Sequence, residues 1–273
     1  MIAFPNCKIN LGLNIIRKRD DGYHDLESVF FPLPLTDVIE VIKDPELQFT
    51  ATGLPVNGTV EENLCLRAYR LLQKDFPDLP AAKIHLHKLI PMGAGLGGGS
   101  ANGAFMLKLL DQKFHLQLRP EQLLDYALQL GSDCPFFVIN EPAIATGRGE
   151  LLKTISLDLS AYTFLLVHPG IHINTAWAFS QLGTYVQKKP IQEIIEQPIH
   201  TWKNELVNDF EDPVFRHHPG LRGIKEELYE SGAIYASMSG SGSSFYGIFS
   251  NKIQPDIPGL APTAGFHYLR IKR

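Results

Sequence analysis

The stretch "PMGAGLGGGSAN", Pro91 to Asn102, holds five glycines in the seven positions from Gly93 to Gly99, and the apolar run "GAFMLKLL" follows at once. Glycine loses more backbone freedom on folding than any other residue, so such density needs a cause. Beyond it, Ala104, Phe105, Leu107, Leu109 and Leu110 cover nearly the whole circumference of a helix, which predicts a helix buried on most sides. Bare amides at the start of a helix, with the positive end of its dipole behind them, make a concave site for phosphate. Ser100 adds a hydroxyl for the helix cap or for a phosphate oxygen. A flexible linker or a tight packing turn is the plain alternative, but a linker does not usually run straight into an apolar helix. Phosphate binding is the expectation.

Three familiar phosphate loops fit poorly. Gly93, Gly95 and Gly98 satisfy G-x-G-x-x-G, but a dinucleotide site wants an acidic residue about 20 positions on, where this chain reads "FHLQLRP" with no carboxylate until Glu121. No G-K-[ST] occurs, which excludes a P-loop, and H-R-D, D-F-G and V-A-I-K are all missing.

Working outward, "CKINLGLNI" alternates, with Cys7, Ile9, Leu11 and Leu13 on one face and Lys8, Asn10, Gly12 and Asn14 on the other, a strand with one buried face. Asp21-Gly22 is a turn, and "DLESVFFPL" and "DVIEVI" continue as strands of a β-meander. "EENLCLRAYRLLQKDF" has helical period, "AKIHLHKLI" is a strand leading into the loop, and "PEQLLDYALQLG" is a helix with Pro120 at its start and Gly131 as C-cap. "DCPFFVI" and "PAIATGRGELL" read as extended. Past a boundary at Ser156–Ser160, "AYTFLLVHPG" is a strand. Helical segments then follow around Thr175–Tyr185, Ile191–Glu196, Lys203–Phe210 and Leu221–Ser231. "AIYASMSGSGSSFYGIF" reads strand, loop, strand, and "FHYLRIK" is a last strand. Strands and helices are segregated in both halves, so the expected class is α+β in two domains, 1–156 and 157–273.

The 273 residues carry a formal net charge of −4, with both signs scattered. No basic block points to nucleic acid, no apolar run is long enough to span a membrane, and no signal segment opens the chain. Cys7, Cys65 and Cys134 lie far apart with no CxxC, which disfavours a disulfide framework and a zinc knuckle and suits a reduced, cytoplasmic setting. His85 and His87 sit on the polar face of a strand and are discounted as metal ligands, so no protein metal site is expected.

Four further constellations each have a plain explanation and a functional one. Lys8 and Asn10 share a strand face that is solvated in the plain case. Tyr23-His24 follows a turn, as surface residues or as a stack for a base or sugar. Asp133, between a helix end and Phe136, Phe137 and Val138, is an N-cap or a carboxylate that needs a cation, for which Lys8 is a candidate. Ser239, Gly240, Ser241 and Gly242 form a hairpin loop or a second wall for a nucleotide.

Together these pieces resemble the GHMP kinase superfamily: a lysine-bearing first strand, the central loop, and a C-terminal glycine loop. "PNCKINLGLNI", "RDDGYHDLESVF", "IPMGAGLGGGSANGA", "LGSDCPFF", "GRGE", "HPGIHINT", "NDFE" and "SMSGSGSSFYGIF" occur in family order from Pro5 to Phe249. The D-G-Y-H stretch is similar to the branch that acts on a cytidine-bearing alcohol. The resemblance implies an N-terminal domain like the second domain of ribosomal protein S5 and a ferredoxin-like C-terminal domain. It implies ATP-dependent phosphorylation of the 2-hydroxyl of 4-diphosphocytidyl-2-C-methyl-D-erythritol, a step of the non-mevalonate isoprenoid route, with Mg²⁺ held through the nucleotide.

By motif position the resemblance makes Asp133 the general base and Lys8 the catalytic lysine. The ATP phosphate loop is Pro91, Met92, Gly93, Ala94, Gly95 and Leu96, continuing through Gly97, Gly98, Gly99, Ser100 and Ala101. Tyr23 and His24 hold the cytidine with Asn10 beside them, Phe179 covers the base from its other side, and Thr175 belongs to the same substrate set. Another small-alcohol kinase or a decarboxylase on the same fold stands as the nearest alternative. From other classes, a non-catalytic nucleotide-binding protein stands against it, and an NAD-dependent oxidoreductase is disfavoured by the missing ribose carboxylate. A monomer and a homodimer are both open.

Overall fold

The computed structural model describes residues 1–183, 188–252 and 267–272, the last as backbone only. Contacts gather the chain into two units, each drawn from separated segments. The first is Met1–Lys8, Pro34–Met92 and Gly97–Glu141, and the second is Ile9–Leu33, Gly93–Leu96 and Pro142–Arg273. Each combines helices with antiparallel-rich sheet, the α+β character expected.

In the first unit a sheet of β1 (Ile2–Ala3), β4 (Val38–Lys43), β6 (Ala82–Lys88) and β5 (Gln48–Gly53) runs in that order. β4 pairs antiparallel and β5 parallel with β6. Four helices complete the unit: α1 (Leu64–Asp75), α2 (Gly98–Phe114), α3 (Pro120–Leu130) and α4 (Cys134–Ile139). The Asn63 side chain caps α1 by accepting from the Cys65 amide at 2.9 Å, and Gly131 closes α3 as expected. α2 buries Ala101, Ala104, Met106, Leu107, Leu109 and Leu110, and so is the buried helix that its sequence predicts.

The expected extended segment at 133–139 is instead α4. A short apolar run has no period of its own, and Pro135 sits in the first turn, where a missing N–H costs nothing. Lys108 of α2 then donates to the carbonyls of Phe137 (3.3 Å) and Val138 (2.9 Å), charging the C-terminal end of α4 favourably.

The second unit holds two sheets, except that residues 6–8 and 34–36, at the ends of the first sheet's first two strands, belong to the first unit. One runs β2 (Asn6–Lys18), β3 (His24–Thr36), β7 (Ala143–Thr146), β8 (Leu151–Thr154); the other runs β10 (Tyr235–Met238), β11 (Phe245–Ser250), β9 (Tyr162–His168), β12 (His267–Lys272). β2 and β3 are neighbours across the Asp21-Gly22 turn, but β4 leaves for the other sheet, so the expected meander stops after two strands. Helices α5 (Thr175–Ser180), α6 (Ile191–Ile195), α7 (Trp202–Glu205), α8 (Glu211–His217) and α9 (Gly220–Glu230) complete the unit. Leu13, Leu165, Val167, Phe210, Val214, Ile224, Phe245 and Phe249 are part of its core.

Three expectations change here. The first expected helical segment, Thr175–Tyr185, is helical over Thr175–Ser180, and Tyr185 lies outside the described residues. The helix expected over 203–210 ends at Glu205, because the next backbone groups bond to β2: Leu13 N–H donates to Val207 O (2.8 Å) and Asp209 N–H to Leu13 O (2.9 Å). Most consequential, β2 has no solvated face. Residues 6–15 are all buried, Lys8, Asn10 and Asn14 included.

Leu107 is fully buried in α2, so Leu107→Ala should cost about 2–5 kcal/mol in urea-unfolding free energy. A loss under about 0.5 kcal/mol would mean that this helix is not the core element described.

Candidate active site

In the first unit, β2 delivers Lys8 and the N-cap position of α4 delivers Asp133. Lys8 Nζ lies 3.5 Å from Asp133 Oδ2, with the lysine 4% and the aspartate 34% exposed. Asp133 occupies the cap position, yet its side chain caps nothing and turns to the lysine. Burial pushes the Lys8 ammonium down from its usual range, and the Asp133 charge opposes that shift. The pair therefore combines a cation held out of water with a carboxylate that solvent and a ligand can reach.

Beside this pair α2 begins. Its N-cap is Gly97, with a left-handed φ of +68°, and no side chain caps the helix. The first-turn amides of a helix have no intrahelical partner, and no acidic residue stands in this first turn. A Cβ on Gly97 would come within 2.8 Å of the Phe137 ring and 3.2 Å of Lys8 Cγ, so this glycine seats the helix start against Lys8. The Ser100 hydroxyl, expected to face a phosphate or cap the helix, bonds the buried Cys134 thiol.

The loop's earlier part, Gly93–Leu96, belongs to the second unit. Ala94 and Leu96 are buried there. Gly95 has φ +78°, and a Cβ on it would sit 1.9 Å from the Ser239 carbonyl oxygen. Ser239 Oγ donates to Gly95 O (2.8 Å), and Ser244 N–H donates to Ala94 O (3.2 Å). Gly93 meets His172 in the same way. These glycines are bare because the protein's own backbone and side chains approach them. By contrast, nothing lies within 4 Å of a Cβ on Gly99.

The second glycine loop joins β10 and β11 as a hairpin turn and packs on the first. Asn10 is fastened there too: its amide N–H donates to Ser239 Oγ (3.3 Å), its side chain donates to Ser28 Oγ (2.9 Å), and Tyr246 Oη donates to its carbonyl (2.7 Å). Thr175 Oγ1 lies 3.0 Å from Ser241 Oγ, linking the start of α5 to the same turn.

His24 and Phe179 come together as expected, but they stack on each other, with centroids 4.7 Å apart and planes 21° from parallel. A base cannot lie between rings in direct contact, so covering it on two faces requires them to part. Tyr23 is exposed, and the Arg148 guanidinium lies 4.8 Å from its ring centroid. Burial, and secondarily the Lys18 charge, lower the His24 imidazolium below its usual 6.5.

The "NDFE" stretch, which carries no role by its pattern alone, ties several elements of the second unit together. Asn208 Nδ2 donates to Met238 O (2.8 Å) and Gly240 O (2.9 Å), fixing the glycine-serine turn from behind. Glu211 Oε1 accepts from Ser237 Oγ (3.0 Å) and Met238 N–H (2.9 Å). Asp209 Oδ2 accepts from Ile15 N–H of β2 (2.8 Å). No periodic signal marks such a segment, since its contacts are to distant backbone.

Residues 63–141 match the GHMP kinases N terminal domain, and 190–257 match the GHMP kinases C terminal domain. A protein of Azobacteroides pseudotrichonymphae, named 4-diphosphocytidyl-2-C-methyl-D-erythritol kinase, is 49% identical over 93% of this chain and 96% of its own. One of Bacteroides fragilis with the same name is 50% identical over 92% of both. The chain belongs to the GHMP kinases. A crystal structure of a 4-(cytidine 5'-diphospho)-2C-methyl-D-erythritol kinase superposes with TM-score 0.80 at 31% identity, covering 91% of this chain and 90% of that one. A mevalonate kinase superposes with TM-score 0.77 at 13% identity, covering 100% of this chain and 98% of that one, which shows that the two share the GHMP kinase fold.

The two kinds of glycine separate in a stability measurement. Gly95→Ala should lose at least about 2 kcal/mol from its left-handed φ and its clash with a carbonyl, whereas Gly99→Ala should gain up to about 1 kcal/mol as a helical alanine in open space. Equal effects on thermal unfolding would contradict the assignment.

Proposed function

We propose that this GHMP kinase transfers the γ-phosphoryl group of ATP to the 2-hydroxyl of 4-diphosphocytidyl-2-C-methyl-D-erythritol. The carrying observation is the buried Lys8 at 3.5 Å from the accessible Asp133, beside the uncapped start of α2. An alcohol is a poor nucleophile at neutral pH, and phosphoryl transfer depends chiefly on alignment and charge stabilisation. Asp133 accepts the hydroxyl proton as the oxygen attacks. The Lys8 ammonium orients Asp133 and the hydroxyl, and offsets charge on the transferring group. The first-turn amides of α2 and the open face at Gly99 hold phosphate oxygens. Relatives of 46–50% identity named for this cytidyl substrate support the choice of acceptor.

Mg²⁺ supplies neutralisation of the nucleotide's phosphates in such transfers. Among the described residues no three His, Cys, Asp or Glu side chains converge, and the carboxylate at this site is Asp133. We assign the ion to the nucleotide's phosphates, with Asp133 as the carboxylate that would stand beside it. Tyr23, His24 and Phe179 receive the pyrimidine, with Thr175 and Asn10 shaping the second-loop side. In this reading residues 1–156 carry the phosphate loop and the catalytic pair, and 157–273 the second glycine loop.

A cytoplasmic setting accords with the three buried free thiols, whose pKa burial pushes up to about 12. No helix among the described residues is long and apolar enough to cross a membrane.

ATP consumption should depend on the cytidine diphosphate alcohol. Asp133→Asn should lower kcat by about 10²- to 10⁴-fold while nucleotide affinity changes little, as loss of a proton acceptor requires. Turnover near that of the unaltered enzyme would remove Asp133 from the base role. His24→Ala should raise KM for the cytidine substrate and leave KM for ATP almost unchanged; parallel rises would contradict a pyrimidine-binding task.

A further inference from the structure

We propose that Asp37 is a positioning residue for ATP binding, its carboxylate clasping together the two ends of the glycine loop. The inference rests on the assignment of that loop to the ATP phosphates. Asp37 is fully buried. Its Oδ1 accepts from the amides of Leu89 (2.7 Å) and Ile90 (2.8 Å), the last two before the loop opens at Pro91. Its Oδ2 accepts from Asn102 Nδ2 (2.8 Å), in the first turns of α2 where the loop ends. The fourth donor is Lys88 Nζ, itself fully buried. All four bonds lie within the first unit, and together they saturate one carboxylate.

This placement favours positioning over bulk stability. A buried ion pair gives up much of its attraction to desolvation, and apolar replacement of such pairs is often neutral or better. What an apolar pair could not supply is a directional tie from one atom group to both loop ends. Lys88 also reaches under the helix start: a Cβ on Gly98 would lie 2.9 Å from its Nζ, so the lysine fills the space directly beneath the second glycine of the helix terminus. The start of α2 and the chain that leads into it thus share one anchor, and the amides offered to a phosphate depend on it.

The test is steady-state kinetics on Asp37→Asn and Asn102→Leu, with thermal unfolding alongside. In Asp37→Asn one oxygen can still accept from Leu89 and Ile90, but an amide nitrogen faces the Asn102 and Lys88 donors. Asn102→Leu removes only the tie to α2. Both folded variants should show KM for ATP raised, by about tenfold in Asp37→Asn, with KM for the cytidine substrate within about twofold of the unaltered enzyme. Folded variants with an unchanged KM for ATP, or with both KM values rising in parallel, would overturn the clasp and leave the pair as scaffold. If Asp37→Asn does not fold, Asn102→Leu decides by the same criterion. Should the unaltered enzyme fail to turn over the cytidine substrate, the proposed reaction falls instead, and calorimetric ATP binding to the same variants still decides the clasp.

Discussion

The structure depends on burying both faces of β2. A strand whose apolar side is packed can leave its polar side to water, and then Lys8, Asn10 and Asn14 would be ordinary surface residues. Here all three are sealed, and each has to find partners inside the protein. For Lys8 the cost of removing an ammonium from water is several kcal/mol, which a carboxylate within reach must offset. That carboxylate comes from the start of α4, at 3.5 Å. For Asn10 the partners are Ser28, Ser239 and Tyr246, which bind the strand to the hairpin turn of the other sheet in the second unit.

The density of glycine in the loop has two physical origins. Gly93, Gly95 and Gly97 have positive φ and would each drive a Cβ into His172, the Ser239 carbonyl or the Phe137 ring. These positions are glycine for the sake of packing, before any ligand arrives. Gly99 has neither constraint, and a helical glycine in open space weakens the helix unless something must come close. The tight-turn explanation therefore accounts for Gly93, Gly95 and Gly97, and packing within the protein does not account for Gly99.

Much of the fold was legible from period and punctuation: the β2–β3 turn, the buried α2, the caps of α3, and the β10–β11 hairpin. What was not legible lacked local signal. The run 134–139 has neither helical nor alternating period, and only Pro135 hints at a helix start. The end of α7 is decided by bonds to Leu13, nearly 200 residues away in sequence. At the site, Lys8 and Asp133 emerge from motif position and from the need of a buried charge for a counter-charge. Asn208 and Glu211 act on remote backbone, which no pattern reports. Lys88 did leave a trace, since in "AKIHLHK" it falls in register with Ala82, Ile84 and Leu86, the buried face of β6. A lysine on that face implies a buried carboxylate somewhere, although the sequence does not say which.

The first unit thus holds two lysine–aspartate pairs, and they differ in what each carboxylate has left for a ligand. Lys88 and Asp37 are both sealed, and the carboxylate has donors on every lone pair, so it has no capacity left for a ligand. Lys8 is as deeply buried, but Asp133 is a third exposed and its side chain makes no cap bond. An aspartate placed to hold a helix would use its oxygens on the amides behind it. One that turns away from them toward a buried cation keeps an oxygen free of backbone ties, which is what a proton acceptor needs. The same residue types thus stand in two different settings, and the hydrogen bonds around each carboxylate, rather than the ion pair itself, tell them apart.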